Sequence, residues 1–318
     1  MKRLMVSGLS WMIIALLISF AISCGRPSAN ERTTRISISG AWALYPLVQC
    51  WIAEYGKTHP EVIFDISAGG AGKGMTDVLS GAVGVGMVSR ALHPEEEARG
   101  AFGFVVARDA VVPTMNAAAP AALVITRCGV SKTALAALWM TDGPHAWSAI
   151  APDAGNGVVN VYTRSDACGA AQTWAEYLGG KQEDLRGTAV YGDPGLAEAV
   201  RRDVNGVGFN NICFTYGADG RPVPGIVILP IDLDGDGTLS PQEDFYGTRA
   251  EFLRAVAEHR YPSPPARDLY LVTRGRPTDP AIRNFLSWIL TEGQRHVLEH
   301  GYITVPEEIL NEGRRRLE

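Results

Sequence analysis

The residues best suited to chemistry are Arg164, Asp166 and the run Cys168-Gly169-Ala170. They stand between a β-branched and aromatic segment at 158–162 and a helical recurrence of Ala170, Trp174 and Tyr177 or Leu178 that Gly179-Gly180 stops. That order predicts strand, tight loop and helix. The loop would aim the free N–H groups of Cys168, Gly169 and Ala170 outward from a positive helix end, with Arg164 adding a planar, permanent charge. Such a loop is equipment for an anion. Asp166 can hold the guanidinium, cap the helix, or do both. A plain capped helix beside a surface arginine is the other reading of this stretch.

A second set of oxygen-bearing side chains lies at 232–243. Asp232, Asp234 and Asp236 are followed by Gly237, Thr238, Ser240 and Glu243 at the spacing of a twelve-residue EF-hand calcium loop. A hard cation wants six to eight oxygens. The three aspartates would give carboxylates, Thr238 a backbone carbonyl, Ser240 a direct or water-bridged oxygen, and Glu243 two more, while Gly237 makes the turn. Pro230 argues against a helix entering this loop, so the pattern predicts a single structural calcium site rather than a paired sensor. The bland counterpart is an acidic loop without metal. No organic cofactor is indicated.

Other candidates are weaker. Gly72-Lys73 sits in a glycine-rich run, but Ser67 and Gly74 break the phosphate-cradling P-loop pattern at both ends. His296 and His300 stand four apart with no third metal ligand in view. A nucleophilic Cys168 would need a partner base, and His145, the one histidine shortly before it, has no evident reason to approach. The chain therefore reads as a binding protein and not an enzyme.

The elements that must hold these loops form a repeating pattern. Segments near 35–39, 62–67 and 83–88 read as strands, each followed by a loop and a helical stretch, and the unit at Arg164 makes a fourth. This indicates an α/β protein whose loops gather at the carboxyl ends of parallel strands. At 318 residues and 46% hydrophobic, the chain can build two lobes with separate cores. A formal charge of −5 without a basic patch argues against nucleic acid.

Lys2 and Arg3 precede an uncharged run whose most apolar part, 11–22, is too short to span a membrane. We read residues 1–23 as an export signal. Small residues before Cys24 resemble the lipobox of bacterial lipoproteins, which implies lipidation of Cys24 and a tether over 24–34 in the cell envelope or periplasm. Cys50, Cys128, Cys168 and Cys213 allow disulfides there without specifying any.

Four segments then carry a specific resemblance: Gly40-Ala41-Trp42-Ala43-Leu44-Tyr45-Pro46, Gly70-Ala71-Gly72-Lys73-Gly74, Val85-Gly86-Met87-Val88-Ser89-Arg90 and Arg164-Ser165-Asp166-Ala167-Cys168-Gly169. In this order they resemble the ligand loops of the periplasmic phosphate-binding protein family, and similar pieces continue through 107–113, 206–209, 261–263, 269–275 and 291–302. The resemblance implies a two-lobed periplasmic-binding-protein fold of type II, with a hinge and a central ligand cleft. Lobe 1 would hold 35–116 plus 268–318, and lobe 2 would hold 117–267. It implies capture of phosphate or a related oxyanion by Ala41, Trp42, Gly70, Ala71, Gly72, Ser89, Arg90, Arg164, Asp166, Cys168, Gly169 and Ala170. A monomer anchored to a bacterial membrane would deliver the ion to an inner-membrane ABC permease.

The departures bear on selectivity. Family members usually place hydroxyls where this chain has Ala41, Ala71, Cys168 and Ala170, and no carboxylate stands near Ser89 to accept a phosphate proton. Each lost hydrogen bond to a charged ligand would cost about 1.5–3 kcal/mol if nothing replaced it. The alternative is an envelope-exposed adhesion or signalling module that kept the fold and lost the anion site.

Overall fold

Alternating and helical segments resolve into β1 (Thr34–Gly40), α1 (Tyr45–Gly56), β2 (Val62–Ala68), α2 (Ala71–Ser80), β3 (Val85–Val88) and α3 (Pro94–Ala98) in a computed structural model that describes residues 33–318. The export signal, Cys24 and most of the tether lie outside the described residues. β1 pairs in parallel with both β2 and β3, so the loops after all three strands emerge at one edge. Glycine is required where these layers touch. A Cβ on Gly40, whose φ is +133°, would come within 2.2 Å of the Met87 carbonyl oxygen.

The long strand β4 (Ala101–Asn116) then leads to α4 (Ala122–Cys128), β5 (Val130–Ser131), α5 (Lys132–Met140), β6 (His145–Ala146) and β7 (Val158–Arg164). Next come α6 (Gly169–Leu178), β8 (Thr188–Val190), α7 (Asp193–Arg202), β9 (Gly206–Asn211), β10 (Ile226–Ile228), β11 (Ile231–Asp232) and α8 (Arg249–Ala257). The chain returns through β12 (Ala266–Arg274) to α9 (Pro280–Ile289), α10 (Arg295–Glu299) and α11 (Glu307–Leu317). The main sheet runs β2-β1-β3-β12-β4-β9-β7-β6, with β8 on β7 and β10 on β4. Pro113 lies inside β4, where the pairing of β12 has ended and that of β10 begins only at Thr114, so its missing N–H faces a gap in the ladder.

Two hydrophobic cores divide the molecule into lobes. One gathers Ile36, Leu47, Trp51, Leu271 and Phe285; the other gathers Trp139, Trp174, Phe209, Phe252 and Tyr261. Strand β4 gives Phe104 and Val106 to the first and Val111 and Met115 to the second, and β12 likewise contributes Leu271 and Ala266 to opposite cores. Asp109 and Arg267 face each other in register where these two strands pass between the lobes. Helix α6 is held by its apolar face: Trp174 is fully buried, edge-on to Trp139 at 5.4 Å and stacked on Phe209 at 6.0 Å. That packing fixes where the amino end of α6, and so the loop from Arg164 to Ala170, points.

Candidate functional site

Arg164 is the last residue of β7, and its side chain is fully buried. Its Nε and one Nη donate to the two oxygens of Asp166 at 2.9 and 2.6 Å, a bidentate fork. The other Nη donates to Asp193 at 2.6 Å. Burial opposes the guanidinium charge, but the carboxylate of Asp193, aided by Asp166, more than offsets it and raises the Arg164 pKa. Three of the five donors of the group are thus engaged, leaving one N–H on each Nη for a ligand. Asp193 opens α7 after Gly192, with Pro194 pre-setting the first turn, and a carboxylate there meets the positive helix end. Its second oxygen accepts from Asn211 Nδ2 at 2.7 Å.

The two lobes touch at this point through glycines. The Gly72 N–H donates across the cleft to the Ala167 carbonyl at 3.1 Å. A Cβ on Gly70 would lie 2.7 Å from the same oxygen, and one on Gly169 would lie 2.2 Å from Ser89 O. Trp42, in the turn after β1, covers Gly192 and sets its ring edge-on to Tyr191 at 6.4 Å. Gln182 clamps the loop from outside, accepting the Cys168 N–H at 3.2 Å and donating to the Asp166 carbonyl at 2.8 Å. Among the described residues, no acceptor takes the N–H groups of Trp42, Ala71, Gly169 or Ala170. Those four donors and the two spare arginine protons suit an oxyanion.

The structure gathers Trp42, Gly70, Ala71, Gly72, Ser89, Arg164, Asp166, Cys168, Gly169 and Ala170 around this contact. Ala41 lies buried behind it with its N–H on the Met87 carbonyl at 2.9 Å. Arg90 turns away. Both of its Nη atoms bind Glu96, at 2.8 and 2.6 Å, so its charge serves α3. A cavity of about 410 Å³ opens beside the loops, lined by Gly72, Arg90, His93, Ala167, Cys168 and Lys181 among others. Cys168 caps α6, its Sγ accepting from the Ala171 N–H at 3.4 Å, and burial pushes its thiol up to about 12. A thiol held protonated at neutral pH is a poor nucleophile. His145 is on β6, opposite Val159.

Asp193, Asn211, Arg267 and Asp109 were not foreseen from the sequence. The Gly192-Asp193-Pro194 helix start was the one legible signal, since a carboxylate at such a position commonly caps. Arg267 donates to Asn211 Oδ1, to Asp109 at 3.3 Å and to Thr173 Oγ1 at 3.3 Å, all buried. Burial pushes the Asp109 carboxyl up to about 6, against the pull of Arg267.

At the acidic loop, carboxylate oxygens of Asp232, Asp234 and Asp236 lie within 4.8 Å of one another. Asp232 accepts from the Gly235 and Gly237 N–H groups at 2.7 and 3.0 Å, Asp234 from Asp236 N–H at 3.1 Å, and Asp236 from Thr238 N–H at 2.7 Å. Glu243 instead accepts from the N–H groups of Leu233 and Ser240, at 2.7 and 3.0 Å, and from the Ser240 hydroxyl at 2.6 Å. Strand β11, not a helix, enters the loop.

Comparison with known proteins agrees with this architecture. The chain is 25% identical to the phosphate-binding protein PstS of Methanocaldococcus jannaschii, over 98% of this chain and 94% of that protein. Among solved structures, it resembles a substrate-binding protein from Clostridium perfringens with bound phosphate at a TM-score of 0.70 and 19% identity, covering 86% of this chain and all of that one. An ABC-type phosphate transport receptor from Vibrio cholerae matches at a TM-score of 0.62 and 17% identity, over 85% of this chain and all of the other. The model of the PBP superfamily domain matches residues 27–292, and the chain belongs to that family of two-lobed binding proteins.

Proposed function

We propose that this protein is the solute-binding component of an ABC transporter and captures phosphate, or a closely related oxyanion, between its lobes. The observation that carries this reading is Arg164: buried, oriented by two carboxylates, and bonded to the Asp166 oxygen that faces Gly70 of the other lobe. Relatives spanning nearly the whole chain are named for phosphate binding or were solved with phosphate bound. The unpaired N–H groups of Trp42, Ala71, Gly169 and Ala170 would stand in for the hydroxyls missing at Ala41, Ala71, Cys168 and Ala170. Binding would work by closure, ligand drawing the lobes together without bond chemistry. An adhesion module with a lost pocket fits less well, because the buried arginine and the unpaired N–H groups of Trp42, Ala71, Gly169 and Ala170 are still present.

The test is to strip the protein of ligand and follow melting and small-angle scattering with phosphate, arsenate, sulfate, molybdate and tungstate. Phosphate should raise the melting temperature and compact the particle. If none of the ions does either, the reading fails. Lipid anchoring through Cys24, monomeric state and delivery to an inner-membrane permease belong to the same proposal. Among the described residues no helix is long and apolar enough to cross a membrane.

A structural calcium ion at 232–243 is a second proposal. The three clustered aspartates have no basic partner among the described residues, so their mutual repulsion is uncompensated, while the loop's own N–H groups already hold it folded. With the affinity of about 10⁻⁴–10⁻³ M usual for extracellular sites, about 10 mM calcium should stabilise the fold by about 1.4–2.7 kcal/mol. Denaturant melts with calcium or chelator check this. Equal midpoints, or a shift that survives Asp236→Asn unchanged, would remove the site.

A further inference from the structure

A path of buried polar contacts runs from the anion arginine to the strands that join the lobes. Arg164 meets Asp193, Asp193 meets Asn211, Asn211 meets Arg267, and Arg267 meets Asp109. These five residues come from β7, α7, β9, β12 and β4. Two guanidinium groups here face three carboxylates, Asp109, Asp166 and Asp193, so the buried cluster holds one surplus negative charge. An incoming anion adds to that surplus in a medium where like charges repel strongly. Asp109 is the carboxylate with the least support: it is wholly buried, its one contact with Arg267 is long at 3.3 Å, and its Oδ1 and the Arg267 Nε both lack partners.

We propose that Asn211, Arg267 and Asp109 are positioning residues of the anion site, and that anion capture at Arg164 is coupled to uptake of a proton by Asp109 between the lobes. The inference rests on reading the cleft as a phosphate site. Asp109 is faced by Arg267 from β12 and Asp193 from α7, and also lies near Cys213, Tyr261 and Tyr302. Burial raises the last three well above their usual values, so they stay neutral while Asp109 titrates. With its pKa pushed up to about 6, Asp109 is charged in mild alkali and largely protonated in mild acid. A second negative charge at Arg164 shifts it further toward the protonated form.

The test is calorimetric titration of inorganic phosphate into wild type, Asp109→Asn and Asn211→Ser between about pH 5 and pH 8, with melting curves to confirm folding. The ratio of variant to wild-type Kd cancels the titration of phosphate itself. Asp109→Asn should bind about tenfold more tightly than wild type near pH 8 and converge with it near pH 5. Asn211→Ser should bind about tenfold more weakly, because Asp193 loses its anchor. Titrated near pH 7 in buffers of different ionisation heat, wild type should take up more protons than Asp109→Asn. A flat Kd ratio with equal proton uptake overturns the inference and leaves the phosphate reading intact. Failure of wild type to bind phosphate at any pH overturns both.

Discussion

Replacing Arg164 by alanine is expected to abolish stabilisation by phosphate and also to lower the stability of the ligand-free protein by about 3–5 kcal/mol. Both effects have one cause. Asp166 and Asp193 are almost completely buried and share this guanidinium, so the truncation strands two carboxylates without a counter-charge. A buried carboxylate without a counter-charge disfavours its ionised form, so the variant's deficit should be largest near neutral pH and shrink in acid. Arg164→Lys keeps the charge but cannot serve both carboxylates with a planar fork, and should fall between the two. Denaturant unfolding at two pH values, paired with phosphate titration, checks the set. An alanine variant as stable as wild type and still responsive to phosphate would show that the site lies elsewhere.

Gly169→Ala separates closure from charge. Gly169 is the first residue of α6 in ordinary helical geometry, so alanine suits the local backbone and even favours the helix. The obstacle is in the opposite lobe: the added Cβ would come within 2.2 Å of the Ser89 carbonyl and 2.4 Å of its hydroxyl. Backbone cannot swing aside like the end of a long side chain. Overpacking of this kind typically costs about 1–3 kcal/mol, which lowers the closed population, and hence phosphate affinity, by about 5- to 150-fold. The buried ion pairs stay intact, so ligand-free unfolding should change little. Unaltered affinity with undiminished compaction in scattering would mean that the bound form does not use this contact.

The loop from Arg164 to Ala170 is local: a strand signal, an arginine, a carboxylate two residues on, and a helix start occupy one short stretch, and the bidentate grip of Asp166 on Arg164 follows from that spacing. The α/β pattern, the loops at strand ends and the spacing of the acidic loop were legible for the same reason, since periodicity and turn chemistry act over a few residues. Arg90 shows the limit of such reading. Its two bonds to Glu96, six residues on in α3, depend on how the chain turns after β3.

What the tertiary structure alone decided is how the charges are shared. Asp193 lies 29 residues beyond Arg164, and Arg267 bonds to Asp109 from 158 residues away, so no short-range pattern could join them. They meet because β4 and β12 pass side by side between the two cores and α7 packs its first turn against β7 and β9. Glycine at 70, 72 and 169 could be read as loop chemistry, yet a Cβ at each would also meet the opposite lobe, Ala167 O at 2.7 Å, the Ala167 side chain at 2.9 Å and Ser89 O at 2.2 Å respectively. The donors that the candidate site offers, helix ends and a fixed arginine, follow from short stretches of sequence because they are local. Its net charge and its room come from folding, because both depend on which distant groups are brought into contact.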